Sequence, residues 1–169
     1  FYIVHPDHRS KGYGIKVWNK AVEYLDGRII GLDGVPVQVE NYKKSGFDYA
    51  HKNITFMGKS KKIDFDKSGI VELSINDLEK IKAYDRLFFP EERDVFLKCW
   101  IEQKESYTIG IIDGGKLKAY GKIRHCPEAY KIGPLFAENS EMAEKLLVEL
   151  QNSIPINSEF TIDIPEPNV

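Results

Sequence analysis

The sequence contains few residues of the kind that build cross-linked or metal-rich domains. Among its 169 residues there are only two cysteines, Cys99 and Cys126, and four histidines. Nothing in the number or spacing of the cysteines indicates a disulfide framework or a zinc site. We therefore predict that the chain holds no metal and that it works in a reducing, cytoplasmic setting.

Long apolar runs and a strong excess of one charge are also missing. The longest apolar stretches, such as Ile109–Ile112, are far too short to span a bilayer, and no signal peptide is visible. The formal net charge is -2. Because affinity for a phosphate backbone needs a basic surface, this charge argues against nucleic-acid binding. We predict a small-molecule partner, with no nucleic acid and no membrane, and the oligomeric state stays open.

What is present is an ordinary globular composition, with 42% hydrophobic and 30% charged residues. The length suits one large domain or two small ones. The chain opens on Phe1 without a methionine, and it closes on Pro167–Val169 just after a predicted strand. We expect it to be an excerpt of a longer protein, in which the second domain is truncated at its C-terminus.

Strand and helix patterns alternate along the chain in two series, with a basic, polar stretch between them. We predict a mixed α/β fold with a mostly antiparallel sheet flanked by helices. The predicted domains are residues 1–58 and 70–169, joined by a linker at 59–69. The predicted strands are Phe1–Val4, Arg28–Leu32, Phe47–Phe56, Ile70–Leu73, Tyr107–Ile112, Lys116–Arg124, Tyr130–Phe136 and Phe160–Ile164. The predicted helices are Gly14–Leu25, Val35–Lys44, Asn76–Arg86, one that opens at Pro90, and Ser140–Gln151.

The strongest site signal is the stretch "RSKGYG", residues 9–14, between the first strand and the first helix. The first turn of a helix has free N–H groups and a partial positive charge. Glycines let the backbone approach a ligand closely, and Arg9 and Lys11 add full positive charges. The stretch therefore predicts a site for a pyrophosphate or a similar anion. The alternative is a glycine-rich turn that carries surface cations.

Comparison with known phosphate loops favours one family. The Walker A string is absent, and the dinucleotide fingerprint fails because Val17 occupies its third glycine position. "RSKGYG" resembles, residue for residue, the Arg/Gln-x-x-Gly-x-Gly/Ala loop of the GNAT superfamily of N-acetyltransferases. The preceding "IVHPDHR" is similar to that family's strand-to-loop consensus. The resemblance implies acetyl-CoA as cofactor, bound by Ile3, Val4, Arg9, Ser10, Lys11, Gly12, Tyr13 and Gly14.

A second motif, "NYKKSGF" at residues 41–47, resembles the family's Tyr-x-x-x-Gly-Phe segment. The family's tyrosine often protonates the departing CoA thiolate, so the resemblance implies that Tyr42 is the catalytic acid. The alternative is a tyrosine that only packs in the core. Val35 and Gln38 stand where the family commonly has asparagine and alanine, as in a subset of tandem GNAT proteins.

Residues 70–169 resemble the second domain of that tandem subset, through segments such as "YKIGPLFAENSEMAEKLL" and "IDIPEPN". Two GNAT-like units are therefore expected. At the position of the cofactor loop, residues 137–142 lack arginine and a glycine pair but carry Glu138 and Glu141. These acids complement the helix dipole and would repel pyrophosphate. We predict that only the first domain binds CoA.

The resemblance implies an N-acetyltransferase in which the primary amine of a small molecule attacks acetyl-CoA directly, without an acyl-enzyme. A backbone N–H near Ile3 or Val4 would polarise the thioester carbonyl. The alternative is a catalytically silent acyl-CoA-binding or regulatory module. Weaker candidates are His5 and His8 as metal ligands, Cys126 as a nucleophile, and an acceptor pocket lined by residues 124, 125 and 130. For each of these, an ordinary surface role is the preferred interpretation.

Overall fold

The chain divides into a first unit, Phe1–Ala50, and a second unit, His51–Val169. This division is taken from a computed structural model that describes residues 3–89 and 91–168. The sequence predicts the boundary at residue 58. The boundary lies earlier because residues 53–59 pair with a strand near the end of the chain.

The first unit contains two α-helices, α1 (Tyr13–Tyr24) and α2 (Val39–Lys44). Half-buried Trp18 and Val22 lie one turn apart on the same face of α1. Gly46 follows the end of α2, with a φ of 88° and an N–H that donates to the Lys43 carbonyl at 3.0 Å. Each helix forms from short-range hydrogen bonds, which explains why local sequence signals located both.

Of the three strands predicted within residues 1–58, Phe47–Phe56 forms in part, as a strand at Asn53–Lys59 that belongs to the second unit. The described residues 3–50 contain no strand, so the strand predicted at Arg28–Leu32 is wrong. Ile3 and Val4 also lie outside any strand, while Phe1 and Tyr2 fall outside the described residues. A strand needs a neighbouring strand to satisfy its backbone groups, and this segment supplies none. Among residues 3–89 and 91–168, two units of the same fold are therefore not seen, and the sheet lies in the second unit.

The second unit is a six-stranded sheet in the order β1-β6-β5-β4-β3-β2, flanked by helices. All neighbouring strands run antiparallel except β5 and β6, which are parallel. The predicted mixed, mostly antiparallel sheet is confirmed. Its elements are β1 (Asn53–Lys59), β2 (Ile70–Glu72), α3 (Leu78–Asp85), α4 (Asp94–Ile101), β3 (Ser106–Asp113), β4 (Lys116–His125), β5 (Tyr130–Ala137), α5 (Ser140–Asn152) and β6 (Glu159–Pro165).

The segment predicted to be a linker is packed onto the second unit. Ser60 is 1% exposed, and its N–H donates to the Ser158 carbonyl at 2.9 Å. The buried Asn152 side chain bonds both backbone groups of Ile63, at 2.8 and 3.0 Å. Residues 59–69 are therefore not a free linker, because long-range hydrogen bonds satisfy a backbone that looks solvated in the sequence.

Two hydrophobic clusters lie on opposite faces of the sheet. The hairpin between β3 and β4 turns at Gly114 and Gly115, which have φ of 55° and 75°. Along β4 the side chains alternate, so Ala119 and Ile123 face α5 while Tyr120 faces α3. The α5-side cluster includes Ile109, Ile111, Ile132, Leu146 and Leu150. The α3-side cluster includes Leu73, Ile81, Tyr84, Leu97 and Leu117.

Helix starts in the second unit differ slightly from the prediction. A capping box lies at Ser74 and Asp77, and it begins two residues before the predicted helix start at Asn76. There the Asn76 N–H donates to Ser74 Oγ and the Ser74 N–H donates to Asp77 Oδ2, both at 3.2 Å. Helix α4 begins at Asp94, and the predicted initiator Pro90 falls outside the described residues.

Candidate functional site

The predicted anion loop leads directly into α1. A short 3-10 turn, Pro6–His8, is followed by Arg9 in extended conformation. Ser10 then has a φ of 60° and Gly12 a φ of 77°, both in the left-handed region. Gly12 is the N-cap of α1 and offers no side-chain cap. Two left-handed residues within three positions turn the chain sharply, and glycine accepts this conformation without strain.

The two cations of the loop are exposed and fold back on their own backbone. Arg9 Nε donates to the Val4 carbonyl at 3.1 Å, and Lys11 Nζ donates to the Asp7 carbonyl at 2.7 Å. The first turn of α1 carries no acidic residue. The positive end of the helix is therefore uncapped by any side chain and is accompanied by two positive charges, an arrangement that favours an anion.

A shallow groove lies beside the loop. It encloses about 370 Å³ and is lined by Ile3, Val4, His5, His8, Tyr13 and Val17. Three of the predicted cofactor residues, Ile3, Val4 and Tyr13, thus line one groove. A Cβ added at Gly14 would lie 3.6 Å from Val4 Cγ2, so the helix and the preceding segment pass close together there. The residues present fit the pyrophosphate end of a nucleotide cofactor.

Tyr42, the predicted acid, is half-buried in the first unit and does not line the groove. Its ring lies 5.8 Å from that of Trp18 on α1. A Cβ added at Gly34 would come within 2.5 Å of Tyr42 Cε2, so glycine at that position makes room for the ring. The tyrosine is therefore positioned by packing against α1, the helix that begins at the loop.

The N-terminus of α5 is the corresponding feature of the second unit, and a side chain of the protein itself caps it. The Asn139 side chain caps it by accepting from the Met142 N–H at 2.9 Å. Glu138 pairs with Lys118 Nζ at 2.9 and 3.1 Å, and Glu141 lies in the first turn. This helix start already has its own cap and acids, as the sequence indicates.

Sequence patterns miss a buried polar cluster on the α3 side of the sheet. Asp85 is 1% exposed and receives two hydrogen bonds of 2.7 Å from Arg93. The Tyr120 hydroxyl donates to Asp85 Oδ1 at 2.9 Å. Burial, and then the charge of Asp85, raises the pKa of Tyr120 well above its ordinary value. The cluster joins α3, α4 and β4, and we assign it a structural role.

A second buried group, Lys122, lies on the same face of β4. It is fully buried, and its ammonium donates to the Trp100 carbonyl and lies 5.4 Å from the indole centroid. Burial, and then the charge of Arg124, lowers the pKa of Lys122 to about 8. In the sequence, the alternation of lysines along β4 indicates a face exposed to solvent. In the structure helices cover this face, and the strand pattern alone does not reveal them.

Of the weaker candidates, His5 and His8 line the groove beside the loop, whereas Cys126 lies in the second unit. Exposed His5 pairs with Asp7, with Nδ1 and Oδ2 3.6 Å apart, and its ring lies 6.0 Å from that of His8. Cys126 Sγ accepts from Arg124 Nη1 at 2.7 Å. Within residues 3–89 and 91–168 no group of three or more His, Cys, Asp or Glu side chains is arranged to hold a metal. In the same ranges no helix is long and apolar enough to cross a bilayer.

Comparison with known proteins identifies the family. Holothin acyltransferase of Pseudoalteromonas sp. (strain SANK 73390) is 30% identical over 98% of this chain and 56% of its own length. Bacillus subtilis (strain 168) YitH, named an uncharacterised N-acetyltransferase, is 25% identical over 96% of this chain and 58% of its own. A Pyrococcus horikoshii crystal structure, provisionally described as an acetyltransferase, superposes with a TM-score of 0.75 at 22% identity, over 96% of this chain and 53% of that one.

The chain spans about half the length of these relatives. Residues 81–169, which lie in the second unit, match the profile of a family described as "Acetyltransferase (GNAT) domain". The anion loop of the first unit lies outside the matched segment. Because the match covers more than half of the sequence, this chain belongs to the GNAT family of acetyltransferase domains.

Proposed function

We propose that the full-length protein is an N-acetyltransferase and that the first unit of this chain binds its acetyl-CoA. The observation that carries the proposal is the start of α1. There Gly12 adopts a left-handed φ of 77°, the N-cap has no side-chain cap, and the exposed Arg9 and Lys11 flank the turn. An uncapped helix N-terminus with two cations favours a diphosphate.

In this proposal the loop Arg9–Gly14 holds the diphosphate through backbone N–H groups and charged side chains. The N–H groups of Gly12, Tyr13 and Gly14 donate to the diphosphate, and Arg9 and Lys11 neutralise its charge. Ile3 and Val4 offer backbone groups along the adjoining groove, and one of their N–H groups polarises the thioester carbonyl. Bound acetyl-CoA would supply the activated acetyl group.

Tyr42 is the proposed general acid, which returns a proton to the thiolate that leaves. A phenol hydroxyl can donate a proton, and the packing of Tyr42 on Trp18 holds the ring in one place. The acceptor is proposed to be the primary amine of a small molecule, which attacks directly. The relative named holothin acyltransferase supports acyl transfer as the reaction.

Cofactor binding and turnover are tested separately. Calorimetric titration of coenzyme A into this chain measures binding, and thiol release from acetyl-CoA with a panel of amines measures turnover of the full-length protein. Tyr42→Phe is expected to lower turnover about 100-fold, within the range of a lost general acid, while coenzyme A affinity is unchanged. The control is Tyr24→Phe, at an exposed tyrosine of α1, which should leave both unchanged. Equal turnover in Tyr42→Phe would exclude the acid role.

One observation favours the alternative, a silent or regulatory module, for the second unit. The cap and acids at the start of α5 leave no place for a diphosphate there. The second unit is then a scaffold or an interaction surface. If the full-length protein binds coenzyme A but releases no thiol with any amine, this description extends to the whole chain.

A further inference from the structure

A pocket in the second unit has no part in the proposed cofactor site. It lies at the end of the sheet where β3 and β5 begin and β4 ends, and the turn after α5 closes one side. Its volume of about 470 Å³ is in the range of small-ligand sites. Since α5 starts near the other end of β5, this pocket lies away from that helix N-terminus.

The lining of the pocket combines one carboxylate with aromatic rings over an apolar floor. Exposed Glu105 is the acidic residue of the lining, and Tyr107, His125 and Tyr130 are its ring-bearing residues. The rings of His125 and Tyr130 meet edge to face, with centroids 5.3 Å apart. The other lining residues include buried Ile123 and Ile154, followed by Pro155.

The backbone of Glu105 has an unusual conformation that the neighbouring strands maintain. Glu105 has a φ of 53°, in the left-handed region, which costs a non-glycine residue about 1 kcal/mol or more. Its carbonyl accepts from the His125 N–H at 2.9 Å, so the ends of β3 and β4 fix the backbone of Glu105 beside that of His125. The conformation is therefore maintained by the sheet rather than by the preference of glutamate.

The charges of the lining residues indicate the sign of the charge on the ligand. Among the residues that line the pocket there is no lysine or arginine. Cations that adjoin lining residues in the sequence include Lys104, Arg124 and Lys131. Arg124 contacts the Trp100 ring and Cys126, and Lys131 pairs with Asp163 at 2.6 Å. Burial raises the pKa of Tyr107, which keeps its hydroxyl neutral. Carboxylates pair with ammonium groups, and the faces of tyrosine rings attract cations.

We propose that this pocket binds a small organic cation, namely a primary ammonium group carried on an aromatic or aliphatic body. The ammonium pairs with Glu105 between the rings of Tyr107 and Tyr130. The apolar body lies on Ile123 and Ile154. The proposal is independent of the CoA loop and concerns a separate site.

Three probes of one shape test the sign of the ligand. 2-Phenylethylamine is a cation at pH 7, 2-phenylethanol is neutral, and 3-phenylpropionate is an anion. Titration of each into the chain is followed by chemical-shift changes in protein NMR spectra. The amine should bind at least about tenfold more tightly than the alcohol, as expected for a charge-assisted pair, and the carboxylate should bind most weakly. Equal binding of the three, or no binding of the amine, would overturn the proposal.

Variants of Glu105 test whether its carboxylate causes the preference for the amine. Glu105→Gln should bring the amine to the affinity of the alcohol, whereas Glu128→Gln, which removes an exposed acid outside the lining, should change neither. Glu105→Asn, a second variant, suits the left-handed backbone and should behave like glutamine. An unchanged preference for the amine in both variants would contradict the assignment. Coenzyme A affinity, measured in parallel, should stay constant, so failure here is distinguishable from failure of the proposed function.

Discussion

The two units of the chain differ in how far their side chains are buried. Among described residues 3–50 no side chain is fully buried, and Ile3 and Val37 are 82% and 86% exposed. The second unit contains two hydrophobic clusters and several side chains with no exposure at all. The loosely packed unit carries the proposed ligand chemistry, and the closely packed unit carries the sheet. Helices formed in both units, but strands formed only where partners exist.

The two helix starts show the same difference. Gly12 leaves the start of α1 without a side-chain cap, whereas Asn139 caps α5 and two glutamates accompany it. The difference indicates that a helix N-terminus either satisfies its own donors or keeps them for a ligand. The four predictions below test these two differences, in side-chain burial and in the helix starts, from the largest expected effect to the smallest.

The largest effect is expected in the buried ion pair of the second unit. Arg93→Met leaves Asp85 buried without its cation, so the free energy of unfolding should fall by about 3–5 kcal/mol. Chemical denaturation of the chain measures this. The control in the first unit is Lys43→Met, which breaks an exposed pair with Glu40 and should have no measurable effect. A loss that is equal in both variants would remove the contrast in packing.

A smaller effect is expected at the start of α1. Gly12→Glu puts a carboxylate beside the proposed diphosphate and a side chain on a left-handed backbone, so coenzyme A affinity should fall about 100-fold, or roughly 2.7 kcal/mol. Calorimetry measures the loss. The control is Gly115→Glu, the same change at a φ of 75° in the β3–β4 turn, where affinity should not change. Retained binding in Gly12→Glu would exclude the loop as the cofactor site.

The third prediction concerns pH and the buried lysine of β4. Since the pKa of Lys122 is lowered to about 8, the folded state loses this proton before the unfolded state does. Stability should therefore rise with pH, by about 2 kcal/mol between pH 8 and pH 10. Above pH 10 the raised pKa of Tyr120 acts in the opposite direction, so the measurement ends there.

Denaturation at each pH should show this rise in the natural chain and in Lys116→Met, which changes an exposed lysine on the same strand. Lys122→Met should remove it. A rise that persists in Lys122→Met would mean that another group causes the pH dependence.

The smallest effect is expected at the start of α5. Asn139→Ala removes the cap, which should cost about 1 kcal/mol of stability. Asn76→Ala, at an exposed asparagine, is the matched control. Coenzyme A binding should not appear at α5, because Glu138 and Glu141 remain. Detectable binding in a chain that combines Asn139→Ala with Gly12→Glu would break the contrast between the two helix starts.

Much of the second unit was predictable because its signals are local. The Asp113–Gly115 turn, the alternation along β4 and the apolar face of α5 each specify an element over a few residues. The loop at Arg9–Gly14 was predictable for the same reason, since it rests on glycine at a left-handed position. Whether this loop and Tyr42 act as proposed stays a prediction.

Other features had no local signal. The bonds of Asn152 to Ile63 and of Arg93 to Asp85 join residues that only the folded chain brings together. The pocket around Glu105 likewise collects residues from three strands and the turn after α5. The sequence grouped residues 124, 125 and 130 as a weak pocket candidate, and His125 and Tyr130 do line this pocket, but nothing in the sequence indicated Glu105 or Ile154.

The sequence by itself determined the helices, the tight turns and the cations beside an open helix start, because each depends on hydrogen bonds and φ angles within a few residues. Only the tertiary structure decided that residues 53–59 join β6, that residues 59–69 dock, and that Lys122 is buried. A strand takes its hydrogen bonds from a distant segment, and burial depends on what covers a face. Neither property is written in the neighbouring residues.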